Sequence, residues 1–178
     1  MRKELARQSV HLAYGVALTM LTAWNAWIGI AVSLVVITGV LVYHKREFVL
    51  IEWFMRRLER EEHLKGFGAL TLTVGITSVV LVFPEAGVIA GIGVAIIDSF
   101  ATILGVLLGE GRKHIVASLI GGLVFFIVAT SVFSDVRVVH LGIAAIVGSI
   151  IEFLSARTML IDDNITVPWA IAITIALL

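Results

Sequence analysis

The sequence predicts an all-α integral membrane protein: a polytopic bundle of about seven transmembrane helices, N-terminus cytoplasmic, with an amphipathic interfacial helix between the second and third spans. Three observations predict it. Hydrophobic residues make up 60% of the 178, charged residues only 15%, and the mean hydropathy is +1.08, whereas a soluble domain carries about 25% charged residues. The apolar residues come in runs close to the roughly 20 that a helix needs to cross the hydrocarbon. Lysine and arginine fall almost wholly on alternate connections. No repeat, low-complexity tract or composition break divides the chain, so residues 1–178 form a single membrane domain.

The spans are expected at 8–24, 27–43, 67–83, 86–107, 115–133, 138–154 and 165–178. The first has a basic start like a signal peptide, but no Ala-x-Ala cleavage pattern follows, and it is expected to be retained. Between the second and third, 44–65 is polar yet carries Phe48, Ile51, Met55 and Leu58 at helical spacing. That pattern suits a helix lying in the membrane interface, with Arg57–Glu61 and Glu61–Lys65 as i,i+4 pairs. The fourth span has a stripe of small residues, Gly87, Gly91, Ala95, Thr102, Gly105 and Gly109, which lets neighbouring helices come close and places this span at the centre. The seventh is short and begins near Pro168, expected in its first turn, where proline is tolerated.

Orientation follows from the basic residues. With the N-terminus inside, Arg2, Lys3 and Arg7, the cluster from Lys45 to Lys65, Arg112, Lys113 and Arg157 are all cytoplasmic. Arg137 alone is outside, and the connections at Ala23 to Ala26 and Pro84 to Glu85 carry no basic residue. The C-terminus then lies outside.

An ionised side chain at the centre of a spanning helix costs about 2.5 to 3.5 kcal/mol on insertion scales, so each one invites a functional reading. Asp98 lies deep in the fourth span. Glu4, Arg7 and His11 follow one face of the first helix at its cytoplasmic entrance, beside Gln8; Glu152 closes the sixth span; Asp162, Asp163 and Asn164 precede the seventh. Each has a bland alternative: a hydrogen-bonded structural Asp, a snorkelling charge cluster, a turn with an N-cap. Their convergence on one side, together with Arg112, Lys113 and Ser118, favours function. Carboxylates and an amide suit Mg²⁺, and Arg and Lys suit phosphates. The set therefore describes a cytoplasmic site for a nucleotide or phosphate ester at the membrane surface.

Other classes fall away. The chain has no cysteine, which excludes disulfides, cysteinate zinc and thiol catalysis. Zero net charge disfavours nucleic acid. Neither a P-loop nor a complete dinucleotide fingerprint is present, and Gly91-Ile92-Gly93 lies within a span.

The order Glu4-x-x-Arg7-x-x-x-His11, Asp98-Ser99-Phe100-Ala101 with Gly105, Lys113 and Ser118, Glu152, then Asp163-Asn164-Ile165-Thr166-Val167-Pro168 resembles the CTP-dependent lipid kinases. These include dolichol kinase, phytol kinase and the yeast-type diacylglycerol kinase, whose fold is related to that of phosphatidate cytidylyltransferases. The likeness extends over almost the whole chain. It implies that Arg7, Asp98 and Gly105 are essential, with Asp163 and Asn164 in a further motif. This chain has Arg7-Gln8 where the family usually has Arg-Lys, Ile97-Asp98-Ser99 for Gly-Asp-Ser, and Lys113-His114-Ile115-Val116-Ala117-Ser118 for Lys-Ser-x-Glu-Gly-Ser.

The activity the resemblance implies is CTP-dependent phosphorylation of a membrane lipid alcohol, a polyprenol or dolichol, to its monophosphate. Asp98, Arg7 and Glu152 are the catalytic candidates. Arg7, Lys113, Ser118, Gly105, Asn164 and His11 would bind nucleotide and phosphate, and Asp98, Asp162 and Asp163 would hold Mg²⁺. The expected partners are CTP, the lipid alcohol and the bilayer, without nucleic acid and with a homo-oligomer left open. The membrane would be a cell membrane or one of endoplasmic-reticulum type. Two alternatives stand: a phosphatidate-type cytidylyltransferase, and a proton-coupled secondary transporter in which Asp98 and Glu152 relay protons, although no internal inverted repeat is seen.

Overall fold

The computed structural model describes residues 2–45, 66–109, 114–158 and 162–178. These residues form seven helices and no strand: α1 (Arg2–Trp24), α2 (Ala26–Lys45), α3 (Phe67–Val82), α4 (Pro84–Leu107), α5 (Ile115–Val132), α6 (Val138–Thr158) and α7 (Asp163–Leu177). Three are long and apolar enough to cross a membrane: α4, α5, and α6 over Val138–Ser155. Shorter apolar stretches occupy Ala26–Val42, Phe67–Val82 and Asp163–Leu177. The interfacial helix expected over 44–65 lies outside the described residues, apart from 44 and 45 at the end of α2.

Local chemistry sets the helix ends. Asn25 turns the chain between α1 and α2, its side chain accepting from Trp27 N at 2.9 Å. Pro84 opens α4, where its fixed φ suits the first turn and its missing N–H costs nothing. Gly109, at φ +71°, follows the end of α4, a left-handed position that glycine occupies without penalty. His114 Nδ1 caps α5 by accepting from Val116 N at 3.3 Å, and Asp162 caps α7 by accepting from Asn164 N at 2.9 Å.

The bundle is organised around α4, which packs against α1, α3, α5, α6 and α7, while α2 packs on α1 and α3 at the periphery. Within its apolar window α4 is 78% buried, against 33% for α5 and for α6, which makes it the central helix. Close approach replaces bulk along this axis. A Cβ added to Gly15 would lie 2.8 Å from Ala95 Cβ, and one added to Gly121 would lie 2.8 Å from Ile97 O. Such contacts are how helices associate in hydrocarbon, where burial of apolar surface gives no driving force of its own. Phe125, Ile97, Ile171 and Val94 fill the space left between them.

The outside is apolar as well. Leu34, Val35, Leu123, Ile127 and Val139 are more than half exposed. Apolar side chains exposed on several helices, beside helices long and apolar enough to span, suit a lipid bilayer as the surroundings.

Pro168 lies two residues deeper in its helix than the sequence suggests, because α7 begins at Asp163 rather than near 165. Proline there withdraws the N–H that would bond to the Asn164 carbonyl. That carbonyl abuts Gly75 of α3, where a side chain would collide with it. The absence of Cβ at Gly75 thus lets the start of α7 seat against α3.

Candidate metal centre

Three helices bring their carboxylates to one place. Asp98 on α4, Glu152 on α6 and Asp163 on α7 each present an oxygen within 4.8 Å of the other two. Glu152 is fully buried and Asp98 is 8% exposed. From Asp98 to the end of α4 the helix rises about 13 Å, and from Glu152 to the end of α6 about 9 Å, so the trio is recessed below those helix ends. Asp163 reaches this depth because α7 starts there. Its place in the first turn of α7 also sets its charge at the positive end of the helix dipole.

The first helix completes the wall. His11 Nε2 lies 3.2 Å from Asp98 Oδ2, and Ser99 Oγ donates to the Gln8 carbonyl at 3.4 Å. One turn nearer the N-terminus, Arg7 is paired with Glu4. The register repeats down the helix pair: Gly15 meets Ala95, and Gly91 meets Thr19. His11 is therefore held against Asp98 by backbone packing on both sides of it.

Thr102, one turn after Asp98, donates to Asp98 Oδ1 at 3.2 Å. Asn164 is nearly buried; its Nδ2 donates to Thr71 Oγ1 at 3.3 Å, and its N–H is shared between the Asp162 and Asp163 side chains. Gly105 is buried on α4. Ser118 is fully buried on α5, one turn before Gly121 and Gly122, which touch the backbone of α4 and Ser149 of α6 respectively.

Of the sequence-derived candidates, Asp98, Asp163 and Glu152 lie together and His11 adjoins Asp98, with one exchange of emphasis. Asp162 has extended backbone and its carboxylate caps α7, whereas Glu152, assigned to proton transfer from sequence, joins Asp98 and Asp163 in the metal-competent set. Lys113 lies outside the described residues. Thr102 and the buried Gln8 are additions. The i,i+4 spacing to Asp98 could have signalled Thr102, while no sequence pattern marks Gln8 as buried.

Three carboxylates in a water-poor recess repel one another unless a proton or a cation intervenes. The arrangement suits a hard divalent ion with oxygen ligands, and Gln8, Ser118 and Asn164 hold buried acceptor atoms on helices beside it.

No family model and no solved structure matches the chain. In sequence it is 29% identical, over 178 aligned residues, to an uncharacterized protein of Methanocaldococcus jannaschii, with 97% of this chain and 93% of that protein covered. The similarity spans every helix described above.

Proposed function

We propose that this chain is a seven-span membrane phosphotransferase, N-terminus and site on the cytoplasmic side, that moves the γ-phosphoryl group of CTP to the hydroxyl of a membrane lipid alcohol such as a polyprenol or dolichol. The observation that carries the reading is the recessed trio of Asp98, Glu152 and Asp163 with His11 against it. Phosphoryl transfer asks a protein for positioning and charge neutralisation more than for covalent chemistry.

Asp98, Glu152 and Asp163 would hold Mg²⁺, which when bound supplies neutralisation of the phosphate oxygens. His11 orients the Asp98 carboxylate, and Thr102 fixes its other oxygen. Arg7 would engage the phosphates by exchanging its pairing with Glu4, and Lys113 would add a second cation. The alcohol oxygen forms the new P–O bond as the bond between the γ-phosphorus and the β,γ-bridging oxygen breaks. CDP leaves, and the alcohol proton passes to a carboxylate at the site. A trio recessed into the bundle would be within reach of a headgroup that remains in the bilayer. Support for the topology comes from the basic residues, which gather on the N-terminal side of the predicted spans.

The test is incubation of the purified protein with Mg²⁺, γ-labelled CTP or ATP, and a panel of prenols and diacylglycerol. Labelled lipid monophosphate formed from CTP, with release of CDP, is the expected result. Pyrophosphate and a CMP-lipid would make the protein a cytidylyltransferase instead, and nucleotide-independent uptake in proteoliposomes without labelled lipid would make it a transporter.

A further inference from the structure

Around the carboxylate trio the buried polar atoms are mostly acceptors. Gln8 Oε1, Ser118 Oγ and Asn164 Oδ1 are buried and accept no hydrogen bond among the described residues; their residues are 1%, 0% and 7% exposed. They come from α1, α5 and α7, and each is tied to the trio. Gln8 is bonded through its backbone to Ser99, the neighbour of Asp98. Asn164 follows Asp163. On α5, Gly121 touches Ile97 and Ala101 while Gly122 touches Ala145 and Ser149, so Ser118, one turn earlier, lies between the Thr102 turn of α4 and the Glu152 turn of α6.

A buried acceptor without a donor is costly, and native structures rarely keep one without a function or a bound partner. Three of them, on helix turns that adjoin those of the carboxylates, would be satisfied by a guest that brings both positive charge and several O–H donors. A hydrated divalent cation does both. Mg²⁺ and Mn²⁺ bind octahedrally and Mg²⁺ gives up water reluctantly, so three carboxylate oxygens would leave about three positions to water, each with two protons to donate.

We infer that the recess binds a small hydrated divalent cation before any nucleotide arrives, with Gln8, Ser118 and Asn164 accepting hydrogen bonds from the waters on the ion. The inference rests on reading Asp98, Glu152 and Asp163 as metal ligands, and it adds an outer ring that chooses among ions. A ring built to receive water protons favours Mg²⁺ and Mn²⁺ over Ca²⁺, which is larger and takes more ligands in a flexible shell.

Binding of Mn²⁺ to the purified full chain in detergent, without nucleotide, is read from the spectrum of the free ion by electron paramagnetic resonance. The wild type should bind Mn²⁺, and Mg²⁺ should displace it more readily than Ca²⁺. Gln8→Leu and Ser118→Ala should each weaken binding by about tenfold with circular dichroism and melting unchanged, and Asp98→Asn should abolish it. Gln8→Glu, which keeps an acceptor at that point, should restore what Gln8→Leu loses; a folded Gln8→Glu as weak as Gln8→Leu overturns the role of Gln8. Wild-type affinity in Gln8→Leu and Ser118→Ala, with loss in Asp98→Asn, overturns the outer ring and leaves the carboxylates as ligands. No Mn²⁺ binding by the wild type overturns both, and preference for Ca²⁺ overturns the hydrated ion.

Discussion

The two halves of α4 are built on opposite terms. From Gly87 to Ala95 the helix meets its neighbours through missing side chains: Gly91 admits Thr19, Gly93 admits Ile171 and Phe125, and Gly87 lies against the backbone of Val79 and Val80. The nearby Phe83 and Trp169 rings meet edge to face at 5.9 Å and 81°. From Asp98 to Gly105 the same helix carries a carboxylate, two hydroxyls bonded across or along it, and a facing histidine. The first half gains from van der Waals contact, which is what hydrocarbon leaves available for helix association. The second half bears the cost of charge in a poor solvent. The contrast teaches a division of labour: the close-packed half fixes the helices so that the charged half keeps its geometry without having to stabilise it.

The sharpest break between the halves comes at Asp98. Asp98→Asn preserves shape and removes one charge, so phosphoryl transfer should fall by about a hundredfold or more, as when a preorganised electrostatic group is lost from an active site. Melting followed by circular dichroism should stay within a few degrees of the wild type, about the scale of 1 kcal/mol for a domain of this size. A variant that keeps its activity defeats the catalytic reading, and one that unfolds makes Asp98 a structural residue.

How far this division can be read from sequence depends on the residue. Glycines at three- and four-residue spacing announced α4 as the central helix, and hydropathy located the helices, because both signals are local. Asp98 was legible for the same reason: a charge amid Ile96, Ile97 and Phe100 stands out. The choice between Asp162 and Asp163 was not legible, since adjacent carboxylates differ only once the helix start is known, and that start turns one into a cap and the other toward the trio. Glu152 read as a residue at a span end. Its burial follows from α6 running on to Thr158, which carries the helix past Glu152 and leaves it recessed. Gln8 is the extreme case, because a polar residue beside Arg7 carries no local sign that α4 and its Ser99 will cover it.

A second break falls where the halves join. Gly121 of α5 approaches Ile97 O and the Ala101 backbone, one turn from Ser118. Gly121→Val must move backbone, not merely the end of a flexible side chain, and overpacking of this kind costs about 1 to 3 kcal/mol. Chemical denaturation should show that loss, and transfer activity should fall with it as α5 shifts Ser118 away from Glu152. Loss of stability with full activity would mean that the charged half does not depend on this packing.

The mildest perturbation lies at the edge of the bundle, where α2 is joined to α3 by the hydrogen bond between Ser33 and Thr77 at 2.8 Å. Both hydroxyls are buried, yet Ser33 also donates to the Gly29 carbonyl one turn back, so it keeps a local partner when Thr77 is removed. Side-chain hydrogen bonds between membrane helices average about 0.6 kcal/mol by double-mutant cycle. Ser33→Ala combined with Thr77→Ala in such a cycle should give a coupling of about that size and leave transfer activity at the wild-type level. A measurable loss of activity would show that α2 reaches the site through α3 and Thr71, whose hydroxyl accepts from Asn164, and the division between a supporting half and a reacting half would then have to include the peripheral helix.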